Sequence, residues 1–428
     1  MNKLKKLQVL SSDSEEIFLQ KKEGEEKQEE TEKEKNNEKK EKEKEKEKKQ
    51  EEEGEEESEQ ELLKETQRIK NNPKIKMLDQ QKVPKFIIDL DLPTNKRWDK
   101  VIDAYKNDFG VILDYVKTIL NSYFGKIFGS VIGTIAEKLF ASLVGTGAVY
   151  YGKELRSIAK KSGFPLGKLF LLNIAYELCA FCTSIVGKGE EGLILGRTMD
   201  WEMPFLKKFT IELEFRRDGK KLYEATSWAG YVGVLTGSRP GVGAVSINYR
   251  IANRGTIVTN LVKGIQKYWP ISFLVRDCLE NCTSYSDLKT RLRDSPLMAP
   301  CYITLCGIED ACLITRNRNS EEKNSIWNYN EKGVIIQCNM DHWRTEPKYD
   351  IFFSRTRRKL ARRLIENLEK EKFLNEETMW STLYTQPISN EITIYYTVCN
   401  PTTGSYSSRI PLDDIPEIEN KYQELFYF

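Results

Sequence analysis

Hydrophobic and polar positions follow three different rhythms along this chain. From Lys21 to about Gln67 there is none: Lys, Glu and Gln fill almost every position, and no apolar periodicity offsets the entropy of ordering. Residues 1–82 therefore read as a disordered Lys/Glu-rich tail, with transient helicity where opposite charges sit four apart. Asn71-Asn72-Pro73 and Val83-Pro84 mark the approach to a folded body. Residues 83–181 read as mostly helical. Between Val111 and Val144 apolar pairs recur every four residues, from Val111/Ile112 through Ile127/Phe128 to Leu143/Val144. A helix turns about 100° per residue, so such a stripe drifts around the barrel, and Gly125, Gly129 and Gly133 weaken it. Two core helices and a lipid-facing amphipathic surface both fit this pattern; Asn121 and Lys126 argue against a bilayer span.

From Cys182 the rhythm changes to alternation. Phe209, Ile211, Leu213 and Phe215 alternate with polar residues, and Asp218-Gly219 offers a hairpin turn into Leu222–Ser227. Further strands are expected at 231–236, 243–248, 302–306, 311–316, 334–338 and 392–398, with helices at 260–268, 271–280, 286–293 and 357–371. Many strands with interspersed helices predict an α+β fold of stacked antiparallel sheets with helices outside.

Composition narrows the chemistry. The 428 residues include one His, His342, so His₂ and His₃ metal sites are excluded, and any Ser-His-Asp or Cys-His pair would have to use it. Residues 21–60 carry 12 Lys and 19 Glu, a net of −7, which leaves the other 388 positions at +9. A basic body suits a solvated surface or an anionic membrane; without aromatic interleaving it gives no reason to expect nucleic acid. All nine Cys lie between Cys179 and Cys399, which fits buried thiols better than a disulfide framework. The start, MNKLKKLQVL, lacks the apolar run of a secretory signal, and Asn281-Cys282-Thr283 is a lone glycosylation sequon.

The densest chemistry lies in Asn173-Ile-Ala-Tyr-Glu177, Cys179-Ala-Phe-Cys182-Thr-Ser-Ile-Val186 and Gly196-Arg-Thr-Met-Asp-Trp201. Cys182 opens a β-branched strand, a Gly- and Glu-rich turn follows, and Arg197 and Asp200 sit on the returning strand, so a hairpin gathers the three. A thiol beside a guanidinium has its pKa lowered and becomes the better nucleophile. Cys179-x-x-Cys182 also has the spacing of a redox pair or half a zinc site, but no second such pair exists.

These blocks resemble the cysteine N-terminal nucleophile amidases, the family of acid ceramidase and N-acylethanolamine-hydrolysing acid amidase and, more distantly, of penicillin V acylase and bile-salt hydrolase. The resemblance runs from about Val83 to Arg409. It includes Gly230-Tyr-Val-Gly-Val-Leu-Thr-Gly237, Ile314-Thr-Arg-Asn-Arg318, Asn339-Met-Asp-His-Trp343 and Ser354-Arg-Thr356. It implies an αββα sandwich and self-cleavage between Phe181 and Cys182. The products would be a helical α-segment (83–181) and a catalytic β-segment (182–428), paired as an α/β heterodimer. It further implies that the new α-amine of Cys182 serves as base for its own thiol; such an amine titrates near ~8 and needs no His. No metal or cofactor is implied, and His342 reads as a loop residue.

By the same resemblance Cys182 is the nucleophile, Asp200 orients its α-amine, Arg197 lies beside thiolate and substrate carbonyl, and Asn339 donates to the oxyanion. Arg355 is a candidate brace, with a solvated Arg at a helix start as the alternative. Tyr249 stands where the lipid amidases place a Glu; its phenol can donate to an oxyanion but cannot act as a carboxylate. The Cys182–Arg197 interval is one residue shorter than the family pattern, harmless in the Gly187–Gly192 turn but face-flipping in a strand. No Cys precedes Cys179, so the two segments would be held by packing rather than a disulfide.

The expected substrate is a membrane-derived lipid amide. Leu279–Tyr285, Leu297–Tyr302 and Gly237–Gly241 look more like acid ceramidase, whereas the short segment after Asp200 looks more like the ethanolamide enzyme. An uncleaved lipid-binding homologue and a scaffold acting through the tail are the other readings. Lifting a lipid from a membrane would give the apolar stripe and the basic body one explanation. The resemblance implies a lysosome-like acidic compartment, which the start as written does not explain.

Overall fold

The computed structural model describes residues 80–110, 141–144, 149–174, 180–250, 268–318, 326–343 and 350–411, with Lys64, Gln67 and Lys138 as isolated positions. The chain divides into a unit Met1–Glu65 and a unit Thr66–Phe428, and the fold below is that of the second. The expected tail and most of the period-four stripe lie outside the described residues, as does the expected helix up to residue 267.

Fourteen described strands form two sheets. In chain order they are β1 (Gln80–Lys82), β2 (Lys85–Asp89), β3 (Phe181–Gly189), β4 (Gly192–Asp200), β5 (Thr210–Arg217), β6 (Lys220–Trp228), β7 (Thr236–Arg239), β8 (Gly243–Tyr249), β9 (Cys301–Cys306), β10 (Ala311–Arg316), β11 (Ile326–Asn328), β12 (Ile335–Gln337), β13 (Thr393–Asn400) and β14 (Ser405–Pro411). A six-stranded sheet has the order β1-β14-β13-β4-β3-β12, and an eight-stranded sheet the order β11-β10-β9-β8-β7-β6-β5-β2. The inner faces pack together, with Ser184 of β3 bonded to Ser246 and Asn248 of β8.

Helices cover the outer faces, completing the αββα sandwich. Before Cys182 come α1 (Asp99–Tyr105), α2 (Gly152–Ser162) and α3 (Leu166–Ile174), and then α4 (Leu206–Phe209). Next, α5 (Ile271–Asn281) lies on β6 and β7 and packs against α6 (Tyr285–Asp294). After α7 (Tyr329–Lys332), α8 (Ser354–Lys370) lies on β3 and α9 (Glu376–Leu383) on β4 and β13. Close approach requires glycine there: a Cβ on Gly187 would fall 2.6 Å from Leu374, and one on Gly196 2.6 Å from Met379.

Hairpin chemistry reads through directly. Asp218 and Gly219 both adopt positive φ (52° and 69°), the geometry that lets two residues join β5 to β6 without fighting strand twist. Four details differ from the sequence reading. The segment before β7 is a loop, because Ser227 Oγ bonds the carbonyls of Tyr231 and Gly233 while Asn173 Oδ1 accepts from Val232 N–H. These contacts remove the groups a strand from residue 231 would need for its ladder. The span 83–181 contains β2, which pairs in parallel with β5, since no hairpin constrains a strand arriving from before the helices. Strand β1, within the expected tail, pairs with β14. Strands β11 and β14 carry too little apolar alternation to be read from the sequence.

Candidate active site

The β3/β4 ladder runs unbroken from Phe181 opposite Asp200 to Gly189 opposite Gly192. The hairpin contains no bulge: Glu190-Glu191 form the two-residue turn, and Cys182 and Arg197 come out on one face. Residues opposite one another share a face, so Cys182 with Met199 and Ser184 with Arg197 point to one side, while Phe181 with Asp200 and Thr183 with Thr198 point to the other.

On the inner face Arg197 Nη2 donates to Cys182 Sγ at 3.0 Å. Its Nη1 is anchored on Ser246 Oγ (2.6 Å) and the Ile247 carbonyl (2.5 Å) of β8, so the guanidinium is held in place before any chemistry. Ser184 shares a hydrogen bond with Ser246 (2.7 Å) and donates to Asn248 Oδ1, whose Nδ2 donates to the Gln337 carbonyl (2.9 Å). Both Cys182 and Arg197 are fully buried. A fixed cation at hydrogen-bond distance, buried away from bulk solvent, stabilises negative charge developing on sulfur.

Asp200 lies on the opposite face, which a hairpin drawn from sequence does not reveal. Its carboxylate accepts from Thr393 Oγ1 (2.7 Å), Thr198 Oγ1 (3.1 Å) and Arg357 Nη1 (3.3 Å). Complete burial pushes the carboxyl above its ordinary range, opposed by the Arg357 charge and by the hydrogen bonds from Thr393 and Thr198. Arg357 is the connector. Its Nη1 also donates to the Cys182 carbonyl (2.9 Å) and to Thr183 Oγ1 (2.8 Å), and its Nη2 to Asn339 Oδ1 (3.1 Å).

Asn339 follows β12, the strand beside β3, and so lies alongside Cys182. Its Oδ1 accepts from the Cys182 backbone N–H at 3.0 Å. Its Nδ2 donates to the carbonyls of Tyr249 (3.0 Å) and Ala180 (3.3 Å). Two donors on one side and two carbonyls on the other fix the amide's orientation. Ser354 Oγ, at the start of α8, accepts from the Asn339 N–H (2.9 Å).

Cys182, Arg197, Asp200 and Asn339 are thus brought together, with Arg357 between them. Tyr249 enters through its backbone carbonyl and is half-buried. Arg355 is also half-buried and its backbone N–H bonds Asp350, whereas Arg357, two residues on, is the arginine that turns inward. The sequence held a signal for this: Ser354, Arg357, Ala361, Leu364 and Leu368 recur at helical spacing and are all buried, which places Arg357 in the apolar stripe of α8. Phe181 packs its ring 3.5 Å (centroid to centroid) from that of Phe352, one of two consecutive non-glycine residues at positive φ. His342 sits in a turn against Trp327 and Trp343; burial and the neighbouring Arg358 and Lys332 push it down to about 4. Cys179 lies outside the described residues.

The sandwich of two sheets holds a buried Cys near the head of β3, with a guanidinium on its sulfur and an amide on its N–H, the arrangement expected of a cysteine amidohydrolase. Comparison with known proteins narrows the class. Residues 182–351 match the family model for linear amide C–N hydrolases of the choloylglycine hydrolase family, and residues 81–143 match that for the beta subunit of N-acylethanolamine-hydrolyzing acid amidase. Acid ceramidase of Homo sapiens is 33% identical over 357 residues, 78% of this chain and 87% of that protein. Acid ceramidase of Balaenoptera acutorostrata scammoni is 32% identical over 361 residues, covering 78% and 87%. A solved structure, the Caenorhabditis elegans N-acylethanolamine-hydrolyzing acid amidase ortholog, is 30% identical, covers 51% of this chain and 93% of its own, and has a TM-score of 0.45. The chain belongs to the acid ceramidase and N-acylethanolamine-hydrolysing acid amidase family of linear amide hydrolases.

Proposed function

We propose that this protein is a lipid amidase that cleaves itself before Cys182 and then hydrolyses the amide bond of ceramide, giving a sphingoid base and a fatty acid. The observation that carries this reading is the pair of contacts at Cys182: Arg197 Nη2 on Sγ and Asn339 Oδ1 on the backbone N–H. In self-cleavage the thiolate attacks the Phe181 carbonyl carbon, the Phe181–Cys182 C–N bond breaks, and the nitrogen takes up the thiol proton. Water then hydrolyses the Phe181 thioester, leaving a carboxylate at Phe181 and a free amine on Cys182. With a lipid amide the same sulfur attacks the acyl carbon, the α-amine moves the proton to the leaving amine, and water releases the fatty acid. Asp200, one guanidinium away through Arg357, holds the amine end in orientation. Once the peptide is cut, Asn339 Nδ2 is the candidate donor to the oxyanion.

Two further observations support the lipid. An apolar cavity lined by Phe109, Leu169, Trp201, Met203 and Trp228 begins one residue beyond Asp200; at about 40 Å³ it has room for little more than one methylene until side chains move. Phe352 and Phe353, beside the scissile residue, are 42% and 66% exposed, as suits peripheral contact with an anionic membrane through the basic body. N-acylethanolamine is the second substrate reading, favoured by the family-model match over residues 81–143.

The test is a denaturing gel with N-terminal sequencing of purified protein, at neutral and acidic pH, beside Cys182→Ala. Cleavage predicts fragments of about 21 kDa (181 of the 428 residues of a 49.7 kDa chain) and about 29 kDa (the other 247), the larger beginning Cys-Thr-Ser. Both should appear in wild type only. Parallel hydrolysis of ceramide and N-acylethanolamine then ranks the substrates. A chain that stays whole and inert would move the uncleaved lipid-binding reading to the front.

A further inference from the structure

Away from Cys182, one cavity combines a half-buried guanidinium with buried N–H groups that meet no acceptor among the described residues. It has a volume of about 170 Å³ and is lined by Leu313 of β10, Trp327 of β11, Ile335 of β12, His342, and Arg358 and Arg362 of α8. Arg358 Nη1 and Trp327 Nε1 are buried and meet no hydrogen-bond acceptor among the described residues. Buried guanidinium groups are ordinarily paired, because a desolvated charge without a partner is costly.

Among the described residues the surrounding charges do not supply that partner. Burial is the first cause that pulls the Arg358 guanidinium below its usual range, and Arg362 and Arg355 add repulsion. The groups that oppose this are the Cys338 thiol and the Tyr302 phenol, both pushed up by burial and so uncharged at neutral pH. The nearby carboxylates are committed elsewhere. Asp341 takes Arg250 (2.7 and 3.1 Å) and Tyr302 (2.7 Å), Glu366 takes Arg362 at the surface (3.0 Å), and Glu369 takes Tyr329 (2.8 Å) and the Lys188 N–H (2.6 Å). Lys332 and Arg362 both stand over the Trp327 ring (5.3 and 5.1 Å), which concentrates positive charge at the same place.

We propose that this cavity binds a phosphoryl oxyanion, held by Arg358 and Arg362 with Trp327 Nε1 as a third donor. The two arginines are four apart on α8 and so share a face. Planar guanidinium forks match oxyanion geometry, and donors arriving from a helix and a strand suit the several directions of a tetrahedral anion better than the single plane of a carboxylate. The volume exceeds that of several waters, each of which takes roughly 30 Å³ of liquid. The site stands independently of the catalytic reading, yet Arg358 adjoins Arg357, so an occupant would brace the turn that holds the catalytic centre.

The same chemistry is offered by free phosphate and by a phosphomonoester headgroup, and the experiment separates them. Melting of the full chain is followed against inorganic phosphate, with sodium chloride at matched ionic strength as control. Binding is also measured to phosphatidylcholine vesicles with and without phosphatidic acid. Wild type should show a melting temperature that rises with phosphate beyond the chloride control. Arg358→Met should lose that response and melt higher than wild type in phosphate-free buffer, because it removes the uncompensated cation. Arg362→Gln should raise the phosphate concentration needed for the same shift roughly tenfold. Arg358-dependent binding to phosphatidic acid vesicles would assign the site to a headgroup; a phosphate response without it would assign a free phosphate. A wild-type response no larger than that to chloride, or one left intact by both substitutions, would overturn the proposal.

Discussion

Glu154→Gln tests what holds the segments before and after Cys182 together. Glu154, on α2, accepts two hydrogen bonds from Arg276 on α5 (2.7 and 3.0 Å), one from Arg97 (3.0 Å) and one from the Trp98 indole (2.7 Å). Arg276 is fully buried and also bonds Glu280 (2.7 Å) and the Val232 carbonyl (2.9 Å), with its guanidinium 4.0 Å from the Tyr151 ring centre. Gln keeps the shape but loses the charge and turns an NH₂ toward donors. Removing one partner of a buried pair costs about 3–5 kcal/mol; Glu280 remains, so the low end, about 3 kcal/mol, applies. In a Cys182→Ala background, which keeps the chain covalent, urea unfolding at pH 7 should show that loss as a lower midpoint with an unchanged slope. If the chain is cut before Cys182 as proposed, the same loss should weaken fragment association by roughly two orders of magnitude, read by gel filtration on dilution.

Burial alone would raise the Glu154 carboxyl, but Arg276, Trp98 and Arg97 outweigh it and hold it below its ordinary value of 4.5. The stabilisation is therefore present above 4.5 and is lost as pH falls through the lower folded value. The Glu154→Gln deficit should be full at neutral pH and close only in stronger acid. A deficit under about 0.5 kcal/mol at pH 7, within the range of an ordinary surface substitution, would refute the reasoning.

Arg357→Gln should cut self-cleavage and turnover at least ~100-fold, since it withdraws charged hydrogen bonds worth roughly 1.5–3 kcal/mol each from the Cys182 carbonyl, Asp200 and Asn339. Because Arg357 opposes the rise of the Asp200 carboxyl, the acid limb of the pH–rate profile should also move to higher pH, with partial rescue by Arg357→Lys. Glu212, pushed up to about 7 chiefly by burial, keeps a proton in the folded state that the unfolded chain releases above 4.5. Its contribution is intact below 4.5 and lost as pH rises through 7, so Glu212→Gln should stabilise by up to about 3 kcal/mol at pH 8 and by nothing at pH 4, measured by urea unfolding.

The local rules of the sequence were enough to place the β5/β6 hairpin, whose Asp218-Gly219 turn admits few other conformations, and the alternation that makes β8, β9 and β10 strands. They also placed Cys182 and Arg197 together, because the interval between them is mostly strand and pairing follows from a short turn. What lay beyond reach was set by partners distant in the chain. Asp200 lies on the opposite face from Cys182, and Arg357, 157 residues away, links the two. Glu154 and Arg276 are 122 apart, and β2 finds β5 in parallel from the far side of the helical segment. Residue type and spacing determine which local conformation each stretch adopts, since those energies are set within a few residues. Which of Arg355, Arg357 and Arg358 faces Cys182, the solvent or a cavity depends on how α8 is rotated against β3. Only packing against Gly187 and the burial of the Ala361–Leu368 stripe decide that rotation.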